Sequence, residues 1–525
     1  MNRHPRRALI LAALLTVGAG ACTDTTELPI TTITDTNYFN DPSSYRAMLA
    51  KIYAGLAVSG QLGPAGNGDI KGIDEGFSQY LRLYWKMQEL PTDEAVIAWG
   101  DVGLPELNTQ LWASSNPFAV AMYYRIAFQV SIANELLRQT TDAKLAERNV
   151  SPELAAEIQV FRAEARFLRA LSYWHGIDLF GNIPLVTEEY VLGSPPPTQN
   201  SRQELYNFVV SELNAIRPQL PLAGPGTYGR ATDAAATMLL AHLYLNAGVY
   251  TGTPQYAQAL AEAQTAIAGP FSLDPSFRHI FQADNHTSPE IIFPVVQDGR
   301  STQSFGGTTF LVHASCGGSM SAADYGVDGC WFGLRMKPEA YNRYGPGDQR
   351  TSFFWTDGQT VQVNSITTYT DGIPAPKFTN KTSTGADGSD PTHTHPDTDF
   401  PMFRLADAYL IYAEAHLRGG GGDPAQALAY VNAIRQRAYG STAGNIAAPD
   451  LTLQFILDER GRELLFEAHR RTDLVRHGLF TGAGYLWAWK GGAAGGAPTE
   501  TFRDLYPLPA SELTTNPNLA QNPGY

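Results

Sequence analysis

Apolar residues recur at helical spacing over most of the chain. Phe161, Leu168, Leu171 and His175 fall near one side of a helix, while Arg162, Arg166 and Arg169 line another. A second helix is predicted over about 231–248, with Gly248 a fitting C-terminal stop, and a partner helix over 255–268. A third pair is predicted over 403–417 and 424–439, with Gly419 to Gly422 breaking the chain between its two helices.

The pairs share a plan. Ala236 to Gly248 followed by Tyr256, Ala259 and Ala263 echoes a tetratricopeptide unit, in which small alanines let two antiparallel helices approach closely. Leu405 to Ala415 followed by Ala427 and Val431 repeats it, and Ala163 to His175 with Tyr206, Val210 and Leu213 is a third version. The units are not in tandem at a fixed spacing, which excludes a plain solenoid. The longest interruption, residues 271–399, is rich in Gly, Ser, Thr, Asp and aromatics, with short strands predicted at 291–296 and 360–364. A loop-rich stretch of this length inside a compact fold is functional or disordered, and its aromatic content argues against disorder.

The N-terminus has a different pattern. Arg3, His4, Arg6 and Arg7 precede an apolar run from Ala8 to Ala21. Fourteen helical residues rise about 21 Å, short of the roughly 30 Å hydrocarbon thickness, so the run is a signal-peptide core rather than a span. It ends Ala19-Gly20-Ala21-Cys22, similar to a bacterial lipobox, although Ala19 stands where such boxes usually carry Leu. Residues 1–21 are therefore expected to be a leader, Cys22 the lipidation site, and 22–36 a polar tether.

Charge and cysteine content narrow the function. The chain holds 37 basic and 51 acidic residues; without the leader the balance is 34 against 51, or −17. It lacks the positive field that phosphate backbones attract, so nucleic acid is excluded as an expected partner. Cys316 and Cys330 are the two cysteines left in an exported chain, and an oxidising compartment favours a bridge between them. It would close a 15-residue loop, worth roughly 3 kcal/mol in the chain-entropy picture.

Five blocks in order carry a resemblance. They are Leu83 to Glu94; Ala163 to Trp174 with Asp178 to Leu185; Arg404 to Ala415; Glu459 to Arg470; and the terminus Tyr506 to Tyr525. Together they resemble the RagB/SusD nutrient-binding lipoproteins, although Arg471-Thr472 stand where that family often has an aromatic pair. The resemblance implies a predominantly all-α, SusD-like fold of tetratricopeptide-like helix pairs with a large loop-rich insertion. An N-terminal helical part would cover 37–270 and a C-terminal part 271–525, with the insertion at 271–399. It also implies capture of glycans or other oligomeric nutrients without catalysis, delivery to a TonB-dependent (SusC-like) outer-membrane transporter, no cofactor, and a lipid anchor in the outer membrane facing outside. Peptide capture is the nearest alternative.

Sugars present apolar C–H faces and hydroxyl rims, which aromatic planes and Asp, Asn, Gln or Arg match. Trp99, Asp101, Tyr325, Trp331 and Trp355 sit in polar, glycine-containing surroundings and are the expected ligand contacts. Trp174 and Tyr244 read as core, and Trp487 and Trp489 fit either role. Glu459, Glu463 and Glu467, four residues apart and interleaved with arginines, fit structural ion pairs or a solvated face better than a glycosidase pair. His393, His395, Asp397 and Asp399 are metal-capable but lack a third-ligand motif, and no metal is expected.

Overall fold

Capping chemistry sets the helix ends. Ser151 accepts the Leu154 amide ahead of a long helix that begins at Pro152, and Ser201 and Glu204 cap each other's backbone at the start of the next. The computed structural model describes residues 38–191 and 193–525, so the expected leader, tether and Cys22 lie outside the described residues. It divides into residues 1–44, described from 38 onward, and residues 45–525.

The main helices are α1 (Ser43–Ala57), α2 (Tyr80–Glu89), α3 (Pro117–Gln139), α4 (Pro152–Leu179), α5 (Arg202–Ile216), α6 (Asp233–Leu245) and α7 (Tyr256–Ile267). After them come α8 (Gly307–Ser315), α9 (Leu405–Ala415), α10 (Pro424–Tyr439), α11 (Leu453–Glu463), α12 (Arg470–Arg476) and α13 (Ala510–Thr515). Helix α3 packs on α4 and α4 on α5; α6 packs on α7, α7 on α9, and α9 on α10. The alanines of the expected units are the contact points: Ala236, Ala259, Ala263 and Ala427 are fully buried. Trp174 is core, whereas Tyr244 is only half-buried.

Two antiparallel strand pairs interrupt the helices. β1 (Ala95–Ile97) pairs with β3 (Leu334–Met336), and β2 (Ile291–Val295) with β4 (Phe400–Arg404). Ile291 lies opposite Arg404 and Val295 opposite Phe400, so residues 296–399 leave and rejoin the helical scaffold through one two-stranded neck. The strand expected at 360–364 does not form. Thr360 makes a single bridge to Asp371, whose carboxylate accepts the Ser365 amide and folds 360–371 into a tight loop.

Glu459, Glu463 and Glu467 are neither a solvated face nor a cleft. Glu463 accepts from Arg404 and Arg437 on one oxygen and from Arg350, at 2.9 Å, on the other. Glu459 holds Arg350 and Arg435 at 2.9 and 2.7 Å, and Glu467 holds Lys377 and Arg404 at 2.5 and 2.6 Å. Burial alone would lift Glu459, but the Arg350, Arg462 and Arg435 guanidiniums overcome it and bring the carboxyl down to about 2. Glu290, at the start of the neck, joins through Arg404 and Arg437. The network thus ties the insertion (Arg350, Lys377), the neck (Glu290, Arg404) and the C-terminal helices into one block.

Removing one partner of such a cluster leaves buried charges uncompensated, which costs roughly 3–5 kcal/mol. Urea unfolding of Glu463→Gln should show a loss of that size. Glu157→Gln, at the exposed pair with Arg46, should cost no more than about 1 kcal/mol. Equal costs at the two positions would contradict the assignment.

Candidate functional site

The β1–β3 register builds an aromatic surface. Ile97 lies opposite Leu334 and the Ala98 amide donates to Gly333, so Trp99 emerges beside Trp331 and Phe332 at the open end of the ladder. The Trp99 indole N–H donates to the Trp331 carbonyl at 3.0 Å, and the two rings lie 6.3 Å apart at 49°. Both are partly exposed. Trp331 stacks on the buried His313 ring at 4.5 Å, while the nitrogens of His313 face the Gly329 and Thr394 carbonyls. Below Trp99 the Arg82 guanidinium lies 5.6 Å from its ring and 4.5 Å from that of Phe310. Burial brings Arg82 down to about 9, opposed by the carboxylates of Asp74 and Asp101. Asp101 is exposed two residues beyond Trp99.

A covalent link fixes the other side. Cys316, at the end of α8, is bridged to Cys330, with Cα atoms 4.8 Å apart. The Trp331, Phe332 and Gly333 amides donate to the His313, Cys316 and Ala314 carbonyls, so residues 330–333 are laced to the helix end. Phe332 is held at φ +53°, a region non-glycine residues seldom adopt, and its ring is 48% exposed. It packs edge-on against Tyr369 at 5.4 Å.

Trp99 and Trp331 thus come together, with exposed Asp101 two residues further along the chain. Trp355 stands apart: its indole donates to Ser319 at 3.0 Å, and Ser319 donates to Asp357. Tyr325 is half-buried, and its phenol neighbours that of Tyr369. Phe332, Tyr369, His313 and Phe305, which lies 6.3 Å from Trp331, were not among the expected residues. The adjacency Cys330-Trp331-Phe332 was the available signal for Phe332; nothing local marked Tyr369. Trp487 is core, and Trp489 donates to the Val363 carbonyl at 2.7 Å.

The metal-capable carboxylates serve the backbone. Asp397 accepts the amides of Gly299 and Ser389, and Asp399 that of Gln297 together with the Tyr228 hydroxyl; the neighbouring Asp390 accepts those of Thr392, Thr394 and His395. Among the described residues, His242, Asp407 and His469 bring donor atoms within 4.8 Å of one another. His242 already bonds Asp407 at 2.6 Å, and Arg460 holds the other Asp407 oxygen at 2.8 Å. The positive charge is supplied by the protein, and a divalent ion beside a buried arginine would be repelled. The set does not fit a metal; it joins α6, α9 and α11.

Residues 329–525 match the profile of the SusD family. The starch-binding protein SusD of Bacteroides thetaiotaomicron is 33% identical, over 98% of this chain and 98% of its own length. SusD-like protein P25 of Formosa agariphila is 26% identical over 74% of this chain and 79% of its own. Surface glycan-binding protein A of B. thetaiotaomicron, solved in complex with laminarihexaose, superposes with a TM-score of 0.69 at 20% identity, covering 91% of this chain and 98% of that one.

Two outcomes follow from this geometry. Burial lowers His469 to about 4 and His175 to about 3, so both are neutral in the folded protein while the unfolded chain takes up protons below about 6.5. Stability is therefore full above pH 6.5 and declines on acidification, by on the order of 2 kcal/mol per imidazole between pH 6.5 and 5; Glu459 adds a further loss below its ordinary range. Because raised carboxyls such as Asp399 oppose this trend, the imidazole part is read by difference: the stability gap between the parent and His469→Gln should narrow as the pH falls from 7.5 to 5, and a constant gap would contradict it. Replacing Cys316 and Cys330 together by serine should lower stability by about 3 kcal/mol and weaken the near-ultraviolet circular dichroism of the tryptophans; an unchanged spectrum would show that the bridge does not order them.

Proposed function

Because this chain belongs to the SusD family, we propose that it binds neutral oligosaccharides, glucans foremost, on the Trp99–Trp331 surface and passes them intact to a TonB-dependent, SusC-like transporter. The supporting observation is the pair of partly exposed indoles at the open end of the β1–β3 ladder, extended by the exposed Phe332 residue. Flat apolar rings suit the C–H faces of pyranoses, and exposed Asp101 nearby offers a carboxylate for sugar hydroxyls. Starch names one relative and laminarihexaose occupies another, both glucose polymers.

A cutting function has no chemistry to use on the acidic helix. Paired carboxylates for glycoside hydrolysis need one proton donor and access to the glycosidic oxygen. Glu459, Glu463 and Glu467 are buried and each is consumed by arginine or lysine. We place the mature protein at the outer-membrane surface, anchored through Cys22, with the transporter below it; the lipobox-like segment supports this part of the reading.

Calorimetry against malto-, laminari- and cello-oligosaccharides and a tetrapeptide, with chromatography of the recovered ligand, tests the proposal. Binding of at least one glucan series without new reducing ends is expected. Trp99→Ala and Trp331→Ala should each weaken it by about thirtyfold, a hot-spot tryptophan contributing roughly 2 kcal/mol. Undiminished affinity in both variants, or binding confined to the peptide, would refute it.

A further inference from the structure

Away from the indole surface, a cavity of about 420 Å³ opens between α3, the turn after α4 and α13. Its walls are largely aromatic and aliphatic. Tyr123 meets Tyr124 at 6.0 Å and Phe180 at 5.5 Å, both nearly perpendicular, so ring faces point in more than one direction. One carboxylate, Glu512, belongs to the lining, and no lysine, arginine or histidine does.

The lining's hydrogen-bond donors are almost all committed. Tyr173 donates to the Val186 carbonyl, Ser131 to Ala127, Thr515 to Ser511, and the Asn516 amide to Pro197. Tyr124 shares a hydrogen bond with Ser511. Among the described residues, Glu512 makes no ion pair, and the Tyr123 hydroxyl, on a residue 92% buried, makes no hydrogen bond. Burial first lifts both the Tyr123 and the Tyr124 phenols above the ordinary tyrosine range; the Glu512 charge adds to it at Tyr123, and at Tyr124 a hydrogen bond to the Glu512 carboxylate adds to it against the opposing Ser511 hydroxyl. What remains is therefore a set of π faces, one carboxylate with no cationic partner, and a single free donor, the Tyr123 hydroxyl. A neutral sugar needs donors as well as acceptors from its site; a cation with an apolar coat needs faces and negative charge alone.

We propose that this cavity is a second binding site, independent of the glycan surface, that takes an organic ammonium ion, with its alkylated nitrogen against the Tyr123, Tyr124 and Phe180 rings and its charge balanced by Glu512. Cation–π contact and a half-buried counter-charge act together there, where water is partly excluded.

Choline and its uncharged isostere 3,3-dimethylbutan-1-ol, titrated into the purified full chain and followed by saturation-transfer NMR, separate charge from shape. Choline should bind at least about tenfold more tightly than the isostere. Glu512→Gln and Tyr124→Ala, both at half-buried positions, should each weaken choline about fivefold or more, and Trp99→Ala should leave it unchanged. Equal binding of choline and the isostere would reduce the cavity to a plain apolar pocket and overturn the proposal. Absence of saturable choline binding would overturn it too, as would choline binding that responds to Trp99→Ala and not to Glu512→Gln. Glycan affinity plays no part in these readouts, so the two proposals stand or fall separately.

Discussion

A buried lattice of guanidiniums and carboxylates holds this protein in register. Arg404 alone reaches Glu290, Glu463 and Glu467, and Arg350 reaches Asp348, Glu459 and Glu463. Ion pairs of this kind add little net stability over a hydrophobic core, since desolvation offsets most of the attraction. Their effect is geometric. A bidentate guanidinium tolerates little rotation or slip, so segments hundreds of residues apart in sequence meet in one relative position. Asp93, next to β1, is held in the same way by Arg343 and Arg470.

The aromatic surface inherits that precision. β1 is fixed to the scaffold through Asp93, and β3 is fixed to β1 by the ladder. The rings at the end of the ladder therefore stand at a set separation without needing a deep pocket. The aromatic surface is open because its rings are carried by backbone pairing, at the point where pairing stops.

Much of the scaffold could be read from the sequence. The helix pairs follow the alanine and leucine spacing because small residues leave one way for two helices to close, and the caps at Ser151, Ser201 and Asp423 mark the starts. The site was legible only in part. Trp99 and Trp331 were conspicuous as tryptophans among glycines, but their meeting depends on a strand pairing across more than two hundred residues, which no local pattern encodes. Tyr369 and Phe332 are placed by loop conformation and by a positive φ, and the strand expected at 360–364 was displaced by the Asp371 side chain competing for backbone amides. Burial of the acidic helix was equally hidden: the same spacing serves a solvated face or an ion-paired core, and what decides is the arginines from other segments.

The two-stranded neck has a consequence for how such a molecule can change over generations. Residues 296–399 depart and return at adjacent points, and the entropic cost of closing a loop rises only slowly with its length. Lengthening, shortening or rewriting the rest of that excursion leaves the helical frame unaltered so long as Arg343, Arg350 and Lys377 still find their carboxylates and β3 still pairs with β1. Surface loops can be rewritten within one cassette, while the chassis is inherited unchanged.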